Sequence, residues 1–115
     1  MKTEETQADQ LYQSFEKQIT QLVETLAWNA DGPERKKAVS MLSEIPLSIE
    51  KIKKQYIILL NSGEPEVRIV GSLDSYDEPE TATFQVRTWK TDWQAAAEQD
   101  ENMLTIAARL LYLTW

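Results

Sequence analysis

The sequence predicts an α+β fold: a helical N-terminal half, an antiparallel β-hairpin or small meander at about residues 67–89, and a C-terminal helical segment packed against it. Two patterns lead to this prediction. Apolar residues recur every three or four positions from Leu11 to Leu26, which is typical of a helix with one buried face. From Val67 to Trp89 apolar and polar residues alternate instead, which is typical of half-buried strands. Because a lone hairpin is marginal in water, helices must cover its apolar face.

The N-terminal half is predicted to hold two helices. Residues 1–8 show no periodicity and are expected to form a flexible tail, and residues 9–115 are expected to form a single domain. A helix should begin at about Asp9 and end before Pro33, because proline suits the first turn of a following helix, with Asp31 or Gly32 as its cap. Pro46 should end that second helix.

The segment from Leu47 to Asn61 fits two structures. Its apolar residues lie at helical spacing, so a helix is favoured here, with Ser48 as its cap. The run from Tyr56 to Leu60 also fits a buried strand, which would extend the hairpin to a three-stranded meander.

The hairpin itself is predicted to consist of strands at Val67–Ser75 and Thr81–Trp89. Phe84 should point to the core, where it would meet Leu22 of the first helix. The connecting loop, residues 76–80, carries Tyr76 and three carboxylates.

Beyond the hairpin, Thr91 and Gln94 have the spacing of a capping box, so a helix is expected from there to near the C-terminus. It is expected to be interrupted at residues 99–102, where Asp100 can cap a new start. Apolar residues on the last part cover two sectors of the helix, more than one core requires. The sector formed by Ile106, Leu110 and Leu113 should therefore meet either the first helix or a second subunit.

The composition argues against an enzyme and against a cofactor. The 115 residues include no cysteine and no histidine, which removes the common zinc ligands and the usual general base at neutral pH. No catalytic motif, metal site or cofactor motif is predicted. The acidic loop lacks the ligand spacing of a calcium-binding EF-hand loop.

Charge and hydropathy point away from nucleic acid and from membranes. The net charge is −7, whereas binding nucleic acid requires neutralising phosphates with Lys and Arg. The basic residues concentrate in residues 34–54, expected to be a positive helical patch separate from the acidic hairpin. The sequence shows neither a signal peptide nor a long apolar run, so a cytoplasmic protein is expected.

These observations predict a non-enzymatic protein-binding domain, such as an inhibitor, an immunity-type protein or an adaptor, that docks on a basic protein surface. The expected partner-binding residues are Tyr76, Asp77, Glu78, Glu80, Trp89 and Trp93. One alternative is a structural subunit that forms a homo-oligomer or larger assembly through its C-terminal helix. A further alternative is a small-molecule-binding domain.

Overall fold

The computed structural model of the chain describes residues 7–28, 32–97 and 99–115. The described part is α+β, as predicted. Its elements are α1 (Gln7–Trp28), α2 (Pro33–Glu44), β1 (Ser48–Ile52), β2 (Gln55–Asn61), β3 (Glu66–Ser72), β4 (Thr83–Thr88), β5 (Thr91–Ala95) and α3 (Glu101–Thr114).

The five strands form one antiparallel sheet in the order β1-β2-β3-β4-β5, so each strand pairs with its neighbour in sequence. Helices α1 and α3 contact β4, and α2 contacts both of the other helices. Alternation along the strands gives the sheet two different faces. The core face carries Ile58, Ile69 and Phe84, which are buried, whereas Ile57 and Val70 point the other way and stay half-buried.

Helix α1 forms as its apolar spacing predicts and packs on the core face. It begins at Gln7, two residues earlier than expected. The rings of Tyr12 and Phe15 lie 5.6 Å and 5.5 Å from the ring of Phe84, centroid to centroid. Leu22 and Phe84 are both buried, as predicted.

Helix α2 also matches its prediction. Gly32 is its N-cap residue, with φ of 112°, a left-handed value that favours glycine, and Pro33 occupies the first turn. The helix ends at Glu44, just before Pro46. The alternative cap, Asp31, lies outside the described residues.

The helix favoured between Leu47 and Asn61 is wrong: this segment forms β1 and β2. Ile58 pairs with Ile69 of β3, so the apolar run is held in a strand by pairing with the next strand of the chain. The turn between β1 and β2 has Lys53 at φ of 57°, a conformation that lysine rarely adopts. The turn has no Asn-Gly, Asp-Gly or similar pair, so nothing in the sequence predicts it.

The helix predicted from Thr91 is wrong as well, because Thr91–Ala95 is β5. The Thr91 hydroxyl does not cap a helix; its Oγ1 lies 3.0 Å from Oγ1 of Thr88 on the neighbouring strand. No helix is therefore interrupted at residues 99–102, but the new start predicted there is confirmed: Asp100 caps α3, and its carboxylate accepts a hydrogen bond of 3.1 Å from the backbone N–H of Met103.

Helix α3 divides into the two predicted sectors. Its core sector is fully buried and consists of Leu104, Ala107, Ala108 and Leu111. On the other sector Ile106 is 54% exposed, Leu113 is 67% exposed and Leu110 is half-buried. Trp115, the C-cap residue, is 57% exposed. No helix in the described ranges has both the length and the apolar character needed to cross a membrane.

Candidate partner-binding surfaces

The β3–β4 loop, residues 73–82, is fixed by hydrogen bonds around Asp74. The Asp74 carboxylate accepts from the backbone N–H of Tyr76 at 2.8 Å and of Glu78 at 3.1 Å. The backbone N–H of Asp74 donates to the Glu78 carbonyl at 2.8 Å, and that of Asp77 donates to the Asp74 carbonyl at 3.0 Å. Aspartate forms such turns readily because its short side chain reaches backbone groups a few residues away.

Other elements hold the same loop from outside. Lys51 of β1 and Lys54 of the β1–β2 turn each place Nζ 2.9 Å from a different oxygen of the Asp77 carboxylate. Their hydrogen bonds lower the pKa of Asp77, and Asp77 in turn raises the pKa of Lys51. From α3, Nε of Arg109 donates to the carbonyl of Pro79, a buried residue, at 2.7 Å.

At the tip of this fixed loop the side chain of Tyr76 is 83% exposed. Glu80, later in the same loop, is exposed, and Glu78 is half-buried. Asp77 is already paired with two lysines, so the free negative charge here belongs to the other carboxylates rather than to all of the predicted acidic residues.

The structure divides the predicted positive helical patch. Arg35, Lys36 and Lys37 are exposed on α2, as expected. The remaining lysines, at positions 51, 53 and 54, lie on the β1–β2 hairpin. Two of these lysines pair with Asp77. The basic residues of the β1–β2 hairpin are therefore in contact with the acidic β3–β4 loop and do not form a separate positive surface.

Trp89 lies at the other end of β4 from this loop, in the two-residue turn to β5. Its side chain is 78% exposed, and its backbone N–H donates to the Glu64 carboxylate at 2.9 Å. Nζ of Lys90 lies 4.9 Å from the centre of its ring. The predicted partner-binding residues therefore do not form one surface, since the loop and Trp89 occupy opposite ends of the sheet.

Trp93 belongs to a third location, the face of the sheet away from the helices. The guanidinium carbon of Arg68 lies 3.7 Å from the centre of the Trp93 ring, and that of Arg87 lies 4.7 Å from it. Both are cation–π distances. Trp93 therefore lies apart from Trp89, which is in the turn between β4 and β5.

The two arginines were missed as site residues by the sequence argument. Alternation on β3 and β4 already placed Arg68 and Arg87 away from the core. Their contact with Trp93 could not be predicted, because Trp93 was assigned to a helix and lies instead on a strand, next to Arg87.

The described residues contain no group of three or more His, Cys, Asp or Glu side chains placed to hold a metal ion. Comparison with protein-family models, with curated proteins and with solved structures found no match to this chain.

Proposed function

We propose that this chain is a non-enzymatic protein-binding domain that docks on a basic protein surface through its β3–β4 loop, with Tyr76 as the central anchor. The observation that carries this proposal is the side chain of Tyr76, 83% exposed on a loop whose backbone is fixed by Asp74. An inhibitor, an immunity-type protein and an adaptor would all use such a surface in this way.

A fixed loop favours binding because little conformational freedom remains to be lost. Ordering a flexible loop on association costs free energy that reduces affinity. Here the backbone turn is closed by Asp74, and its flanks are attached to β1 through Asp77 and to α3 through Arg109. Tyrosine is also among the residues enriched at binding hot spots, since its ring buries a large apolar area and its hydroxyl can bond to the partner.

Charge supports a basic partner surface. The chain carries a net charge of −7, and Glu78 and Glu80 make no ion pair within the described part of the chain. Carboxylates of this kind at the edge of an interface increase the association rate with a basic partner more than they slow dissociation.

The proposal is tested by isolating a partner on the immobilised domain and then measuring binding kinetics with the purified partner. Tyr76→Ala should weaken binding about 30-fold or more, mainly through faster dissociation, as expected for a hot-spot aromatic residue. An unchanged dissociation rate for Tyr76→Ala would refute the anchoring role.

Steering is tested with the double variant Glu78→Lys and Glu80→Lys, since replacing Asp77 would also release the loop from Lys51. This variant should slow association at low salt and leave dissociation nearly unchanged. The matched control is Glu24→Lys with Glu44→Lys, which makes the same charge change at exposed positions of α1 and α2. Equal slowing in both variants would show that only net charge matters, and not the loop.

A second candidate function is supported by the exposed sector of α3. Ile106 and Leu113 are more than half exposed on a helix whose opposite sector is fully buried. We infer that a structural subunit assembling through this sector is the alternative. Light scattering coupled to size exclusion should then give an oligomer for the parent and a folded monomer for Ile106→Glu with Leu113→Glu. A monomeric parent at high concentration would remove this alternative.

A further inference from the structure

The face of the sheet opposite the helices holds a groove of about 430 Å³. Its floor is apolar and includes Ile57 of β2 and Val70 of β3, with Ile52 of β1 at its side. Polar side chains of Gln55 and Ser72 also line it. This volume lies within the range of about 300–1,000 Å³ that is usual for sites of small organic ligands.

One cationic side chain, that of Arg68, lines this groove. It is held in place on two sides: Nε donates to Oε1 of Gln85 at 2.9 Å, and the guanidinium group lies against the ring of Trp93. Nε is the nitrogen that makes this hydrogen bond, and the terminal amino groups of Arg68 make none with the residues that the structure describes.

The charge of Arg68 lacks a close counter-ion in the part of the chain that the structure describes. Arg87, on the same indole ring, pairs with Glu66 at 2.6 Å, whereas Arg68 has no carboxylate within 4.0 Å there. Burial and the nearby charge of Arg87 both lower the pKa of Arg68, and the carboxylates of Glu66 and Asp92 offset this only in part. An anion placed at the end of this guanidinium would offset both effects.

We propose that this groove binds a small carboxylate with an apolar body. The carboxylate would accept hydrogen bonds from the terminal amino groups of Arg68, a geometry in which guanidinium and carboxylate match. The body would cover Ile57 and Val70. This site is separate from Tyr76 and does not depend on the function proposed for the β3–β4 loop.

The probe is 2-naphthoate, followed by nuclear magnetic resonance on the ¹⁵N-labelled protein. We expect saturable shifts of the Ile57 and Val70 amides and of the Trp93 indole N–H. Two matched compounds separate the two parts of the site. 2-Naphthamide keeps the body without the charge and should bind about tenfold more weakly, while acetate keeps the charge without the body and should bind more weakly still.

Arg68→Gln keeps a polar side chain, shorter than that of arginine, and removes its charge. It should weaken naphthoate binding about tenfold and leave naphthamide binding unchanged. Lys90→Gln removes an exposed positive charge next to Trp89, outside the groove, and should leave both affinities unchanged. The dispersed amide spectrum of each variant shows whether it is folded, and the comparison of compounds on the parent protein needs no variant at all.

Three outcomes would overturn the proposal. Equal affinity for naphthoate and naphthamide would reduce the site to an apolar patch without charge selection. Absence of shifts in the groove at millimolar naphthoate would remove the site. Tighter binding of an acidic peptide than of naphthoate at the same resonances would make this face a surface for polypeptide.

Discussion

The two faces of the sheet differ although they are built from the same strands. Ile57 and Ile58 are neighbours in β2 with identical side chains, yet Ile58 is fully buried under the helices and Ile57 is half-buried on the open face. The same holds on β3, where Ile69 is buried and Val70 is not. The pleat alone separates them, because successive side chains point to opposite faces.

The difference shows how this small domain divides its residues between stability and recognition. Side chains on the core face of β4, Phe84 and Val86, are buried. On the opposite face the same strand carries Gln85 and Arg87, which bond to Arg68 and Glu66 of β3. One face therefore stabilises the fold, while the other keeps cationic and polar groups accessible.

The two isoleucines of β2 give the most direct test of this division. Ile58→Ala removes a fully buried side chain and should lower the free energy of unfolding by about 2–5 kcal/mol. Ile57→Ala removes the same atoms from the open face and should cost about 1 kcal/mol, since less surface leaves contact with protein. Urea unfolding of both variants gives the comparison, and equal losses would mean that the open face is covered in solution.

Replacing Gly71 by alanine should cost less than the core truncation but more than a surface change. A Cβ at this position would collide with the Thr81 carbonyl and lie 2.9 Å from Cε1 of Tyr56. Overpacking of this kind costs about 1–3 kcal/mol. Gly63→Ala is the matched control, because the nearest atom to its added Cβ is Nδ2 of Asn61 at 3.9 Å. Equal thermal midpoints for both variants would show that the strands can move apart at Gly71.

The smallest effect is expected from Asp77→Asn, which tests the end of the sheet where ion pairs hold the loop. Pairing with Lys51 and Lys54 lowers the pKa of Asp77 in the folded state. The ionised Asp77 carboxylate therefore stabilises the folded state fully above its pKa in the unfolded chain, about 3.9. This stabilisation is lost as the pH falls through the lower pKa of the folded state. The difference in the free energy of unfolding between parent and variant, measured from pH 7 to pH 2.5, should become smaller toward the acidic end. Glu80→Gln, without an ion pair in the described residues, should show no comparable loss at pH 7.

The sequence predicted the elements whose pattern is settled by near neighbours. Helix α1 has a single long stripe, and α2 is bounded by Pro33 and Pro46. The alternation in β3 and β4 assigned the correct residues to the core, including Phe84. Each of these signals lies within one element or one turn, so no distant contact was needed to interpret it.

The two wrong predictions of secondary structure both concern strands that are joined by turns without glycine or asparagine. In β1–β2, residues at helical spacing form a hairpin because β3 offers a partner for Ile58, a contact that periodicity cannot show. In β5, Thr91 and Gln94 satisfy a capping-box spacing, but the turn at Trp89 and Lys90 brings the segment back onto β4. Tertiary pairing overrides local preference in both cases.

The two wrong predictions of secondary structure also determined which parts of the candidate surfaces could be predicted from sequence. Tyr76 and the apolar sector of α3 could be named from sequence, because exposure at a loop tip or on the second side of a helix follows from local pattern. The contacts of Trp93 with Arg68 and Arg87 could not, since they require β5 to exist. The groove beside Arg68 likewise requires β1 and β2.

The strand order also bears on how the chain folds. Every strand pairs with its sequence neighbour, so the meander closes through short loops with little loss of chain entropy. By contrast, the Tyr12 hydroxyl accepts from the backbone N–H of Asp100 at 2.7 Å, and Asp9 accepts from that of Ala97 at 2.7 Å, each across 88 positions. Folding therefore has to bring together segments far apart in sequence, and the meeting of α1 with the segment before α3 spans a long stretch of chain. Contacts of such separation slow folding, so the rate-limiting barrier should respond to changes at Tyr12 more than to changes in any β-turn.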